Sequence, residues 1–306
     1  MTLLNPQLTA FATVLAEGSF EAAARRLSLT PSAISQRIKA LEDRLGQVLI
    51  LRRIPCCATS AGQRLLRSVQ QMRLLEAETL GEFAAADPAS APAASTMAIA
   101  VNADSLASWL LPALAELHAQ YGLLFDVRTE DQDHSADLLR DGSVLGAITA
   151  DAKPVQGCTM KKLGVMRYLP IASPTFIARY FGDGLNAASL GLAPVLTFNR
   201  RDALQNRFMR SITRAQLAPP VHYVPSSTAF VEAAALGLGW AMAPEAMLRE
   251  PLGSGALQTL VDDRWLDVPM YWQHWSIRSP ALTRLTDALL RAAIDGLRIE
   301  ATQRRR

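Results

Sequence analysis

The segment from Asn5 to Cys57 packs three helix starts and two glycine stops into about fifty residues, and this spacing constrains the chain more than any other feature. Asn5-Pro6 supplies an N-cap side chain and then proline at the first helical position. Leu8, Phe11, Ala12 and Leu15 follow at helical spacing, and Gly18 ends the helix. Ser19 caps a second helix whose apolar face is Phe20, Ala23, Ala24 and Leu27. The tight turn Ser28-Leu29-Thr30 leads into Thr30-Pro31, again N-cap then first position. The third helix buries Ile34, Ile38, Leu41 and Leu45 on one stripe and stops at Gly46. Ser32, Gln36 and Lys39 lie opposite that stripe, with Ser35 on its flank. Small and polar side chains on the first turns of such a helix suit base edges and phosphates in a major groove. Val48 to Leu51 reads as a strand, Arg52-Arg53 ends it, and Pro55 begins the return. A hairpin with arginines at its tip can reach the DNA backbone or minor groove beside the recognition helix. The expectation is a winged helix-turn-helix over residues 1–58, with Pro31, Ser32, Ser35, Gln36, Arg37, Lys39, Arg52 and Arg53 as DNA contacts.

Charge is distributed to match. The formal net charge of the chain is +3, and residues 1–58 alone hold seven Lys/Arg against four Asp/Glu. The remainder balances only because Arg304, Arg305 and Arg306 close the sequence, so the positive field that attracts phosphate sits on the N-terminal domain. No uninterrupted apolar window of about 18 residues is present, and no secretory leader is readable, so the expectation is a cytoplasmic protein without a membrane partner. Cys56 and Cys57 are adjacent and Cys158 stands alone, which reads as reduced thiols. The His and Cys spacings suggest no metal site, and no catalytic constellation or cofactor motif emerges, so neither enzyme activity nor a cofactor is expected.

Thr59 can cap a long helix over residues 59–86. Leu65, Leu66, Val69, Met72, Leu75, Leu80 and Phe83 form its apolar stripe, which packs either on its own domain or, the reading favoured here, on a second subunit as the seam of a homo-oligomer, since helix-turn-helix dimers read paired half-sites. Residues 87–96, rich in Pro, Ala and Ser, read as a flexible linker. Strands are then expected at 97–101, 123–129, 144–149, 165–172, 194–198, 221–224, 239–243 and 269–275. Helices are expected near 105–120, 134–140, 174–181, 203–214, 226–237 and 281–297. This alternation predicts an α/β domain over 97–300 with largely parallel sheets.

The stretch Phe20-Glu21-Ala22-Ala23-Ala24-Arg25-Arg26-Leu27, with Thr30 to Glu42 after it, resembles the LysR-type transcriptional regulators. The resemblance runs along the rest of the chain. At Ala100 to Ala107, Leu145 to Thr149 and Met270 to Gln273 it narrows to the ArgP/LysG branch of that family. It implies a two-lobed effector domain like the periplasmic binding proteins, with 97–167 and 269–300 in one lobe and 168–268 in the other. It also implies a small-molecule effector in the cleft between the lobes, lysine or arginine, and control of basic amino-acid export. Promoter DNA, a dimer or tetramer of the chain, and RNA polymerase are the partners it suggests. A replication-inhibitor or architectural DNA-binding role without an effector is the alternative.

The residues themselves suggest where such an effector would lie. Two strand-to-helix junctions carry polar turns, Asn102-Ala103-Asp104-Ser105 and Pro225-Ser226-Ser227-Thr228. Free N–H groups at helix starts, with Asn102, Ser105, Ser226 and Ser227 beside them, can hold a carboxylate. Glu130, Asp131 and Asp133 follow a strand directly, where open α/β sheets bind ligands, and suit an ammonium or guanidinium group. Asp104 can meet an α-ammonium or cap its own helix, and Thr149 holds a similar rim position. A carboxylate site beside a cation site describes an amino acid with a basic side chain. Trp109, Trp240, Trp272 and Trp275 read as core.

Overall fold

The structure, a computed structural model, describes residues 3–84, 96–129 and 135–299. Glu130, Asp131 and Asp133, and the linker up to residue 95, lie outside the described residues.

The N-terminal domain forms as its caps dictate. Helix α1 spans Pro6–Glu17, α2 Phe20–Arg26 and α3 Pro31–Leu45. Asn5 Oδ1 accepts from Gln7 N, Ser19 Oγ from Ala22 N, and Thr30 Oγ1 from Ala33 N. Gly18 and Gly46 end α1 and α3 at φ 73° and 66°, the left-handed conformation that glycine adopts without strain. Phe11, Val14, Ala23, Ile34, Ile38 and Leu41 close one core with Leu49 and Ile50. The wing is shorter than the Val48–Leu51 run suggests. Strand β1 is only Ile50–Leu51, antiparallel to β2, Cys57–Ala58. Val48 is exposed and its carbonyl accepts from the Thr59 hydroxyl instead of a ladder partner.

Helix α4, Ser60–Ala84, begins under the Thr59 cap, whose hydroxyl accepts from Gly62 N at 3.0 Å. Its apolar stripe divides along its length. Leu66 and Val69, the latter 0% exposed, belong to the core of the N-terminal domain. Leu74, outside the stripe read from sequence, is buried in the core of the C-terminal domain. Met72 and Leu75 remain 45% and 43% exposed.

In the C-terminal domain β3 (Thr96–Val101) runs parallel to β4 (Leu124–Thr129) and β5 (Gly146–Thr149). The chain between β3 and β4 is α5 (Ala103–Ser105), a π-helical turn (Leu106–Leu110) and α6 (Leu111–Tyr121), where the sequence suggests one unbroken helix. Helix α7, Ser135–Arg140, precedes β5. Two long strands then cross between the lobes: β6, Cys158–Ala172, and β11, Leu266–Trp275, antiparallel over most of their length with a register shift at Met270/Tyr271. One half of β11 pairs with β5. The far end of β6 carries β9 (Ala241–Pro244) and β10 (Gln258–Thr259). The second lobe adds α8 (Pro174–Tyr180), α9 (Ala187–Leu192), α10 (Leu204–Ile212), α11 (Ser227–Ala235), α12 (Arg249–Gly253), and the parallel pair β7 (Val195–Thr197) and β8 (Val221–Tyr223). Helix α13, Pro280–Gly296, returns to the first lobe and packs on α6 and the π-helical turn. The expectation of largely parallel sheets therefore holds for β3 with β4 and β5 and for β7 with β8, and fails for β6 and β11, whose pairings with each other and with β5, β9 and β10 are antiparallel. The four tryptophans read as core are buried, and Trp272 Nε1 donates to Thr286 Oγ1 at 3.0 Å. Among the described residues no helix is long and apolar enough to cross a membrane.

Candidate functional site

Two surfaces carry the chemistry anticipated from sequence. On α3, the burial of Ile34, Ile38 and Leu41 turns Pro31, Ser32, Gln36 and Lys39 to solvent, with Ser35 and Arg37 half-buried at the edges of that face. Ser32 Oγ lies 3.0 Å from Thr30 Oγ1, which ties the start of the helix. At the wing tip Arg52 and Arg53 are exposed, and the Arg52 guanidinium sits 5.0 Å above the Phe20 ring. That stacking holds the wing against the start of α2. Ile54, beside them, is 96% exposed.

The second surface is a cleft of about 370 Å³ between the lobes. From the first lobe Asn102, Ala103, Asp104 and Ala150 line it. Tyr168, Val268 and Pro269 come from the crossing strands, and Phe198, Arg201, Asp202, Arg207 and Ser227 from the second lobe. Asp104 is its chemical centre. One carboxylate oxygen accepts from Ser227 Oγ at 2.6 Å and the other from Tyr168 Oη at 2.7 Å, so a single side chain joins the first lobe, a crossing strand and the second lobe. Burial pushes the Asp104 carboxyl above the usual carboxylate range, while the Ser227 and Tyr168 hydrogen bonds pull it down. Burial likewise raises the Tyr168 phenol well above its ordinary value, with the Asp104 charge adding to it, so Tyr168 remains the proton donor of the pair. Asn102 is buried, and its Oδ1 has no hydrogen-bond partner among the described residues.

The cleft thus gathers Asn102, Asp104 and Ser227 from the residues anticipated. Ser226 caps α11 through Ala229 N and lines an adjoining recess with Thr129, Asn199 and Thr228. Ser105 does not reach the cleft: it is 0% exposed and its hydroxyl has no partner among the described residues. Thr149 is fully buried as well, and its hydroxyl accepts from Asp151 N at 3.0 Å at the end of β5. Tyr168, Arg201 and Arg207 are cleft residues that sequence reasoning missed. Arg201 was findable by the rule applied to Glu130, since Arg200-Arg201-Asp202 follows a strand. Asp202 serves its own loop, accepting from Phe198 N and Leu204 N. Cys158 is no activated thiol, because burial pushes it up to about 11.

A DNA-reading head joined by a long helix to a hinged, two-lobed binding domain defines a one-component regulator. Residues 6–63 match the bacterial regulatory helix-turn-helix protein, lysR family, and residues 90–294 match the LysR substrate binding domain. The chain belongs to the LysR family. It is 42% identical over 298 residues to the lysine export transcriptional regulatory protein LysG of Corynebacterium glutamicum, covering 96% of this chain and all of that one. The crystal structure of ArgP from Mycobacterium tuberculosis superposes with a TM-score of 0.84 at 46% identity, over 97% of this chain and 100% of that one. Full-length LysG of C. glutamicum with bound effector Arg superposes at 0.76 and 41% identity, over 96% and 100%.

Proposed function

We propose that this chain is a transcriptional regulator that binds promoter DNA and responds to a basic amino acid, lysine or arginine, to control genes of basic amino-acid export or metabolism. The observation that carries the effector half is the Asp104 carboxylate at the meeting point of both lobes, in a cleft with two guanidinium groups on the opposite wall. A partly buried carboxylate already aligned by two hydroxyl donors is a ready partner for an ammonium or guanidinium group. Arg201 and Arg207 offer bidentate donors to a carboxylate. A zwitterion with one end on Asp104 and the other on these arginines touches both lobes, and so has different affinities for open and closed arrangements, which any effector requires. A volume near 370 Å³ falls in the roughly 300–1,000 Å³ range of small-molecule sites. Glu130, Asp131 and Asp133, outside the described residues, remain candidates from the sequence for a second cationic group.

The same reading gives residues 1–58 the DNA contact, 59–86 the oligomer seam, and 97–167 with 269–300 and 168–268 the two lobes. It places Ser32, Ser35 and Gln36 at bases, and Lys39, Arg52 and Arg53 at phosphates. It is the reading of a cytoplasmic regulator acting as a homo-oligomer, not of an enzyme. The bound arginine of the C. glutamicum protein supports the choice of ligand. The test is calorimetric titration of arginine and lysine, with leucine and glutamate as controls, followed by operator binding with and without the ligand. Saturable binding of arginine or lysine that shifts operator affinity is expected. Failure of both basic amino acids to bind removes the effector half.

A further inference from the structure

We infer that Glu78 is a positioning residue that fastens the helix carrying the winged domain to the first lobe, making winged domain, α4 and first lobe one rigid body. The fastening stands on the structure alone; its consequence for effector response rests on the function proposed above.

A single stripe of α4, Arg67, Gln70, Leu74 and Glu78, faces the first lobe at helical spacing. At its start, Arg67 lies on the turn between α7 and β5. Gly142 there has φ +84°, and a Cβ on it would stand 2.4 Å from Arg67 Cγ and 2.9 Å from Arg67 N, so the helix backbone rests directly on that turn. One and two turns on, Gln70, Arg73 and Leu74 enclose a cavity of about 220 Å³ with Thr96, Ser143 and Leu145. Leu74 is 3% exposed and belongs to the core of the C-terminal domain. At the end of the stripe Glu78 Oε1 accepts from Ser279 Oγ at 2.5 Å and from Ala281 N at 3.0 Å. Ser279 is itself the N-cap of α13 and accepts from Leu282 N. The first turn of a 17-residue helix is therefore capped jointly by its own serine and by a carboxylate from α4, and the positive end of that helix favours the charge.

The other side of α4 explains why this grip matters. Val69 is buried in the winged-domain core and Leu74, five positions on, in the effector-domain core. A helix rooted in two cores within two turns cannot swivel about either while Glu78 holds. Ser279 also follows shortly after β11, the strand that crosses between the lobes. A change in lobe angle at β11 thus reaches α13, Glu78, α4 and the recognition helix through packed or hydrogen-bonded neighbours.

The experiment compares the full-length protein with Glu78→Ala, Glu78→Gln and Ser279→Ala. Without ligand, hydrogen exchange is read at Ala281 and Leu282 and along residues 70–78. Freeing the latch should speed exchange there by about tenfold or more in Glu78→Ala, with Glu78→Gln closer to the unmutated chain because its amide oxygen still accepts. With arginine, affinity for the cleft should stay within about twofold, while the arginine-induced shift in operator affinity should shrink by about fivefold in Glu78→Ala and be largely restored in Glu78→Gln. Unchanged exchange in Glu78→Ala overturns the latch. Faster exchange with a full effector response overturns its positioning role. If the unmutated protein binds no arginine, the effector reading fails, and the exchange comparison still upholds or overturns the latch.

Discussion

Asp104→Asn separates the cost of holding a carboxylate in the cleft from its use. The substitution keeps shape and removes charge. Asn Oδ1 can accept from one hydroxyl, Ser227 or Tyr168, and Nδ2 can donate to the other, so the bridge between lobes survives with one donor reversed. Stability should change little, and in a direction set by proton linkage. The folded-state pKa of Asp104 is raised, chiefly by burial, so the stability it contributes is present below its unfolded value and is lost as pH rises through its folded value. The amide never ionises, and at neutral pH the variant should melt at or slightly above the unmutated protein. Ligand binding moves the other way. A cationic head brought into a partly buried site without its counter-charge loses about 2–5 kcal/mol. That is roughly 30- to 4,000-fold in affinity, at 1.4 kcal/mol per tenfold. Calorimetry for arginine and lysine, with a melting curve on the same preparation, gives both numbers. Arginine binding at unmutated affinity in a folded Asp104→Asn protein would refute the assignment of the cation to Asp104.

Three further outcomes are expected. Because the raised Asp104 carboxyl must be ionised to pair with a cation, arginine affinity should fall as pH drops through its folded value, and titrations in buffers of different ionisation heat should show proton release on binding; no proton release across the acid range sinks this. Gln36→Ala should weaken specific DNA binding by about 1–3 kcal/mol while sparing non-specific binding, whereas Arg52→Ala should weaken both and flatten the salt dependence; equal losses for Gln36→Ala would exclude base reading. Met72→Asp or Leu75→Asp should dissociate the oligomer by placing an unpaired carboxylate on the open face of α4, with sedimentation as the measurement, while an intact oligomer in both variants moves the seam elsewhere.

Val69→Asp would not answer that last question, and the reason shows where sequence reading stops. Helical period marks which residues of α4 avoid water but not what covers them. The structure covers Leu66 and Val69 with the chain's own winged domain and Leu74 with its own effector domain, leaving Met72 and Leu75 open. A charge at Val69 would unfold the head before it tested any partner. Local signals fared better. The caps at Asn5, Ser19 and Thr30 act over two or three residues, so α1 to α3 were legible almost to their ends. The cleft was legible only at its helix starts. The sequence offers both Asp104, for an ammonium or as a cap, and Ser105, for a carboxylate, as ligand residues at one helix start. Consecutive helical residues point about 100° apart, and one turned into the cleft while the other turned into the core. Tyr168 was hidden inside the strand expected at 165–172, where nothing local marks it as facing a cleft.

The Asp104–Ser227 contact spans 123 residues of sequence, and no periodicity connects positions that far apart. Its formation depends on β6 and β11 crossing antiparallel between the lobes, a feature that the reading of largely parallel sheets missed. The hinge and the deepest polar group of the cleft are thus the same piece of structure. Tyr168 lies on the crossing strand, pairs in register with Leu266, and donates to Asp104. A ligand that changes the Asp104 environment therefore acts directly on a strand that the two lobes share. The sharpest check is Tyr168→Phe, which removes the hydroxyl donor and leaves the strand packing. Loss of one hydrogen bond to a charged acceptor should cost about 1.5–3 kcal/mol of whatever it stabilises. If Tyr168 only fills space, arginine affinity and the arginine-dependent shift in operator binding will both be unchanged. If it orients the Asp104 carboxylate, arginine affinity should fall by roughly tenfold or more while DNA affinity without ligand stays put, because the recognition helix and wing are untouched.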